Sequence, residues 1–236
     1  MLYAGLIGDL QDKAERAFFD LEITTKNLTN ISTPGYKAER AFTFDEALDK
    51  VQKYMEPGGL VMTGRKNDVS LEGKGFFALK DKNDKTVLTR NLTLGQDKDG
   101  NLTSGEYIVV PKTSIPGGFS GYEIEQDGAI HGKKPDGTKI KFASLEVLNF
   151  PAPEKLDFDG FVYKPTEQAG KPLTVCLGPI GQTKVRQGTQ EGSNVDTPLE
   201  FAQFSETNQK IQTLQRLNAL LNTSEKQYIQ SLTGLI

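Results

Sequence analysis

Apolar residues recur every seven positions at both ends of this chain. Near the N-terminus Tyr3, Leu10, Ala17, Thr24 and Ile31 form one register, and Ile7, Ala14, Leu21 and Leu28 form a second, offset by four. Near the C-terminus Phe204, Ile211, Asn218, Glu225 and Leu232 form one register, and Thr207, Leu214, Leu221, Tyr228 and Leu235 another, offset by three. Paired registers of this kind are the a and d positions of a heptad helix. The second helix is expected to start at Thr197-Pro198-Leu199-Glu200: Thr197 caps the first amides, Pro198 lacks only an N–H that has no partner there, and Glu200 closes a capping box. No proline follows and the one later glycine is Gly234. The pattern therefore permits about 38 residues of helix, roughly 57 Å at 1.5 Å per residue. So long a helix needs a long partner, and the N-terminal stripe from residue 3 to 31 supplies one. Asn218 and Glu225, polar at core positions, point to a seam completed by other subunits.

The first helix is expected to stop at Ser32-Thr33-Pro34-Gly35-Tyr36. Proline disfavours helix in the residue before it, and Gly35 allows a turn. Asn27 and Asn30 flank Leu28 in the last turn, where they can bond the final carbonyls, reach a neighbouring chain or simply fray a helix end. Over residues 37–55 the apolar positions Phe42, Phe44, Ala47, Leu48 and Val51 suit a short helix or an irregular arm, which Pro57-Gly58-Gly59 ends.

From Asp68 the period changes to two. Val69 to Glu72, Phe76 to Leu79, Val87 to Arg90, Tyr107 to Val110, Tyr122 to Glu125, Ala129 to His131, Lys139 to Phe142, Ala143 to Phe150 and Phe161 to Tyr163 read as strands. Turn signals at Asn83-Asp84, Asp97 to Asn101, Gln126-Asp127-Gly128 and Pro135-Asp136-Gly137 separate them. Short strands with a turn every eight to twelve residues argue an all-β sandwich or barrel. A last stretch, Thr183 to Gln187, leads back to the C-terminal helix through Gly188 and Gly192-Ser193-Asn194. The expected class is α+β: paired, coiled-coil-like terminal heptad helices with an inserted all-β domain. The expected divisions are 1–35 with 190–236 for the helices, 36–69 with 181–189 for a connecting arm, and 70–180 for the β domain.

Composition narrows the function. Of 236 residues 36% are hydrophobic and none is tryptophan, which suits a thin molecule better than one with a deep core. The net charge of −3, with both signs interspersed, gives no footprint for nucleic acid or an anionic membrane. The single cysteine excludes an internal disulfide. No apolar run approaches a membrane span, and the N-terminus lacks the layout of a cleaved secretory signal. Catalytic chemistry is sparse. His131, the one histidine, is read as an exposed hairpin residue, and Cys176 as a small buried strand residue. Neither has the neighbours of a zinc site or a nucleophile. Gly73-Lys74-Gly75 lacks the context of a phosphate loop. Asp97 to Asn101 resembles the start of a calcium loop but has no glutamate at the twelfth position, so it reads as a solvated turn. The expectation is no enzyme, no cofactor and no metal.

Four stretches carry a family resemblance. Asn27-Leu28-Thr29-Asn30-Ile31-Ser32-Thr33-Pro34-Gly35-Tyr36-Lys37 resembles the signature at the first helix end of bacterial flagellar rod, hook and hook-associated axial proteins. Thr63 to Phe77 resembles the entry to their β domain. Leu88-Thr89-Arg90-Asn91 through Gly100-Asn101-Leu102 is similar to their hairpin, and Val185-Arg186-Gln187-Gly188 with Glu191-Gly192-Ser193-Asn194 to their return segment. The motifs run in order over the whole chain, and within the flagellar basal-body rod protein family they lean towards the proximal rod. The resemblance implies a structural subunit of the drive shaft that transmits torque from motor to hook. It implies terminal helices packed with those of neighbours into an inner tube, a β domain facing outward, and bridging segments near 32–67 and 183–195. It further implies a periplasm-spanning site in the basal body without membrane insertion, and export by the flagellar type III apparatus without a cleaved signal. The implied partners are copies of the chain, other rod and hook proteins and that apparatus. The expected interface residues are Tyr3, Ile7, Leu10, Leu21, Asn27, Leu28, Asn30, Pro34, Gly35, Tyr36, Phe204, Ile211, Leu214, Leu221, Tyr228 and Leu232. The alternatives are a distal rod or hook-type protein, a β-domain binding module on a helical stalk, and an enzyme with a carboxylate site in the β domain. A chain that stays monomeric at all concentrations and binds a small ligand would favour the last two.

Overall fold

In the computed structural model residues 2–44, 48–178 and 183–233 are described, with the side chains at 2–4, 43–44, 48–49, 225 and 228–233 left out of the description. The chain divides into two units, one made of residues 1–31, 39–52 and 195–236, the other of 32–38 and 53–194.

The first unit holds the two long helices, α1 (Leu2–Thr29) and α2 (Thr197–Thr233). They run antiparallel: Asn27 meets Glu200, while Ala17 lies against Ile211 and Leu214. Ala17, Ile211 and Leu214 are buried, with Leu10, Ala14 and Leu21 packed around them. The rest of the stripe is less covered. Phe204 and Asn218 are exposed, although both occupy a positions in the sequence. Asp196, one residue before the expected cap, starts α2: its Oδ1 accepts from the Leu199 amide at 3.1 Å and its carbonyl from the Glu200 amide at 2.9 Å. Asp and Thr are both competent caps, and the stronger one, Asp196, takes the position. Glu200 is thereby released from a capping box and turns to Asn27 and Arg40. Residues 39–44 and 48–53 are neither a short helix nor an irregular arm. They form a two-stranded ribbon, Glu39–Phe44 with Leu48–Lys53. Ala47, assigned to that arm from sequence, lies outside the described residues.

The second unit is built on one branched sheet. Its strands run, in spatial order, Asp157–Phe158, Tyr163–Lys164, Thr86–Thr89, Phe76–Lys80, Tyr107–Val109, Leu102–Ser104, Asn91–Gln96, Asp68–Glu72 and Lys184–Gln187. Val147–Asn149 branches off Phe76–Lys80 and carries Leu173–Thr174 on its other edge. A three-stranded sheet of Gly121–Ile124, Ala129–Lys133 and Lys139–Ser144 stands beside it. All the strand pairings within and beside the branched sheet are antiparallel. Both faces of the central strands are covered, so side chains of opposite parity enter different cores. Phe77 and Leu79 enter a cluster with Val69, Leu71, Leu92 and Ile130; Phe76 enters a second cluster with Leu88, Leu156 and Tyr163. Each fully buried Leu or Phe contributes roughly 1.5–3 kcal/mol, so two cores on one sheet compensate for the low apolar content.

The returning stretch does more than lead back to the helix. Lys184–Gln187 pairs with Val69–Glu72, with Val185 opposite Leu71. Thr189–Glu191 then pairs with Leu60–Met62, a strand the sequence does not announce. Gly58 permits that pairing, because a Cβ there would lie 2.2 Å from the Gly192 carbonyl oxygen. Two other expectations change. Cys176 is exposed, just beyond the two-residue strand Leu173–Thr174. His131 is largely buried, with Nδ1 shielded and 3.5 Å from the Glu125 carboxylate.

Candidate functional site

The motifs that mark the chain converge on two buried polar clusters, one in each unit. In the second unit the centre is Glu191, which is fully buried. Its carboxylate accepts from Arg90 Nε at 2.7 Å, from a terminal nitrogen of the same guanidinium, from Lys37 Nζ at 2.5 Å and from the Gly58 amide at 3.2 Å. Its backbone is held as firmly. The Asn91 side-chain amide donates to the Glu191 carbonyl at 2.9 Å and accepts from the Glu191 amide at 2.6 Å, as a neighbouring strand would. The Gly35 amide donates to the same carbonyl at 2.8 Å. Asn194 completes the ring: its Oδ1 accepts from the Ala38 amide at 2.7 Å, and its Nδ2 donates to the carbonyls of Tyr54 and Glu56.

Gly35 is required here twice over. Its φ of +73° is a conformation most side chains resist, and an added Cβ would meet Asn91 and Arg90 at 3.2 and 3.3 Å. Tyr36 beside it is buried, with its ring edge-on to Phe158 at 6.0 Å. Phe158 leans on Tyr163 and Tyr163 on Phe76, and the Tyr163 hydroxyl donates to the Gly35 carbonyl at 2.9 Å. The turn is thus seated on an aromatic ladder and stitched to Glu191. Two cations share one anion. Burial pushes the Lys37 ammonium below its ordinary range; Glu191 opposes that and Arg90 adds to it. Pairing in place is what makes these charges tolerable in the interior.

The first unit has its own cluster at the end of α1. Asn27 is fully buried. Its Oδ1 accepts from the Glu39 amide at 2.9 Å, and its Nδ2 donates to the Glu39 carbonyl at 2.8 Å and to Glu200 at 3.2 Å. Arg40 pairs with the other oxygen of Glu200, and Lys26 with the Glu39 carboxylate at 2.8 Å. Asn27 therefore ties α1 to the ribbon and to the first turn of α2. Asn30 does bond the helix end, donating to the Lys26 carbonyl at 2.9 Å.

Of the expected interface residues, Ile211 and Leu214 are buried between the helices, while Leu10, Leu21, Leu28, Ile7 and Leu221 are half-buried. Phe204 and Pro34 are exposed, and Gly35, Tyr36 and Asn27 are buried in the two clusters. The side chains of Tyr3, Tyr228 and Leu232, like that of Glu225, lie outside the described residues. The pattern does not single out Arg90 and Glu191, and it gives Glu200 a capping role instead of a buried ion pair. Buried charges outside the heptad stripes are invisible to apolar periodicity, which assigns those polar positions to solvent. The available signal was that Arg90 and Glu191 sit inside motifs, next to Asn91 and Gly192. Among the described residues there is no group of three or more His, Cys, Asp or Glu side chains placed to hold a metal ion. No described helix is long and apolar enough to cross a membrane.

The family model described as the flagellar hook protein FlgE/F/G D1 domain matches residues 70–132, within the second unit. The flagellar basal-body rod protein FlgG of Buchnera aphidicola subsp. Schizaphis graminum is 26% identical over 248 residues, covering 92% of this chain and 94% of its own. FlgG of Agrobacterium fabrum is 27% identical, with 77% and 82% covered. The basal-body rod protein FlgF of Salmonella typhimurium is 26% identical, with 75% and 78% covered. Over most of its length the chain is similar to flagellar basal-body rod proteins.

Proposed function

We propose that this chain is a rod subunit that assembles through its terminal helices and carries torque from motor to hook. The observation that carries the reading is apolar surface left uncovered on folded helices. Leu6, Phe18, Phe201, Leu217 and Leu220 are all at least 43% exposed, on helices whose inner seam is already occupied by Ala17, Ile211 and Leu214. A helix pair with a filled seam and further large apolar residues outside it suits packing among copies. In this reading the helices, 1–35 and 190–236, form the inner tube and continue their heptads across subunits. Segments 36–69 and 181–189 are the arm and 70–180 the outward β domain. Its partners are copies of itself and other rod and hook proteins.

The motif details favour a proximal position. A second reading, a distal rod subunit, draws on the FlgG relatives, which are matched over more of their length than FlgF. Quantitative mass spectrometry of purified basal bodies from cells carrying a tagged copy tests the assignment. The chain should copurify with the rod, and a deletion should leave cells non-motile with truncated basal bodies. A tagged chain absent from basal bodies, in a deletion strain that still swims, would overturn it.

A further inference from the structure

Glu191 holds together two cations that reach it by different routes. Arg90 belongs to the sheet. Its guanidinium donates to the carbonyls of Leu71, Gly73 and Gly75 and lies 5.9 Å from the Phe76 ring centre. Those contacts fix it in place without Glu191. Lys37 arrives with the turn 33–38. Besides Glu191, its ammonium hydrogen-bonds the Glu56 carbonyl at 2.8 Å, and the Glu56 carboxylate adds a weaker attraction. Without the carboxylate, seating the turn would bury a second positive charge beside the first with no anion between them. Like charges brought together in a poorly solvated interior repel strongly, and an unpaired buried cation carries its full desolvation cost.

We infer that Glu191 is an electrostatic key that gates docking of the N-terminal turn: segment 33–38 seats on the sheet only when Glu191, 154 residues further along the chain, occupies the space between Lys37 and Arg90. The backbone contacts act in the same direction. The Gly35 amide has the Glu191 carbonyl as its acceptor, and Asn91 grips both backbone groups of residue 191. The strand that delivers Glu191 pairs with Leu60–Met62 and follows Lys184–Gln187, the last strand on the sheet. A seated turn is therefore a signal that the chain between Lys37 and Glu191 has folded and closed. The device belongs to the isolated chain and is independent of the rod reading.

Hydrogen exchange read by mass spectrometry on the full chain tests the gate. In Glu191→Gln, peptides covering 33–38 should exchange about 100-fold faster, the scale expected on breaking a buried ion pair. Peptides covering Phe76–Lys80 and Thr86–Thr89 should change by less than about 10-fold, because their cores do not involve Glu191. Trypsin should also begin to cut after Lys37, which is 2% exposed when seated. The distinguishing variant is Lys37→Met combined with Glu191→Gln, which removes the repulsion together with the key. Its 33–38 peptides should recover at least about 10-fold of the lost protection. The inference is overturned if Glu191→Gln keeps the turn protected, if the sheet opens to the same extent as the turn, or if the double variant exchanges as fast as Glu191→Gln alone.

Discussion

Replacing Asn27 by alanine should loosen the first unit by about 2–4 kcal/mol, the sum of one orphaned buried amide, weakened partners and a small cavity. Asn27 is fully buried and bonds the Glu39 amide, the Glu39 carbonyl and Glu200. The partners fare unequally when it goes. The Glu39 carbonyl keeps Arg40 at 3.1 Å, and Glu200 keeps its ion pair with Arg40. The Glu39 amide has no replacement bond, and an unsatisfied buried donor costs about 1–3 kcal/mol. Alanine returns less than about 0.7 kcal/mol through its better helix propensity. Asn27→Asp is the informative companion. It retains an acceptor for the Glu39 amide but sets a carboxylate oxygen against the Glu39 carbonyl and Glu200, so it should destabilise more than alanine despite its shape. Hydrogen exchange at the C-terminal turn of α1 and the first turn of α2 would measure both. A loss under about 0.5 kcal/mol for alanine, or aspartate milder than alanine, would refute the reasoning.

Adjacent glycines should behave oppositely. Gly58→Ala places a Cβ 2.2 Å from a backbone oxygen and should weaken the Leu60–Met62 pairing, whereas a Cβ at Gly59 meets nothing within 4 Å. Urea midpoints should fall for the first and hold within about 0.5 kcal/mol for the second. Burial pushes the Asp68 carboxyl up, but bonds from Thr63, Arg65 and Thr93 outweigh it and hold it below its ordinary range. The unfolded chain therefore takes up its proton first as pH falls. The stability advantage of wild type over Asp68→Asn should be full at neutral pH and should fade below about pH 4, as urea midpoints across pH would show.

The elements that stood out in the sequence were those whose apolar residues alone decide the structure. α1 and α2 follow from their apolar stripes without internal proline, and Phe76 to Leu79 from its unbroken apolar run. Residues 39–53 misled because Phe42 and Phe44 keep a period of two, while Leu48 and Val51 keep a period of three. Leu60–Met62 is too short to show any period, and its existence depends on Gly58 and on a strand about 130 residues away, with Gly58 meeting Glu191 at a separation of 133. The polar clusters were hidden for a different reason. Arg90 and Glu191 are each explicable only by the other, and no local pattern pairs residues 101 positions apart. The motif asparagines and glycines marked where the chain crosses itself, but not which charges meet there.

Incorporation of a Leu217→Asp, Leu220→Asp double variant tests the assembly claim most directly. These side chains are 43% and 64% exposed, so unlike Leu214 they can be changed without opening the seam between α1 and α2. The measurement is the ratio of variant to wild-type chain in basal bodies purified from cells expressing both at equal levels, with circular dichroism of the isolated variant as the folding control. A charge buried at a subunit contact costs several kcal/mol, so the account predicts a folded variant reduced at least about 100-fold in the rod. A folded variant incorporated equally with wild type would contradict assembly through the terminal helices.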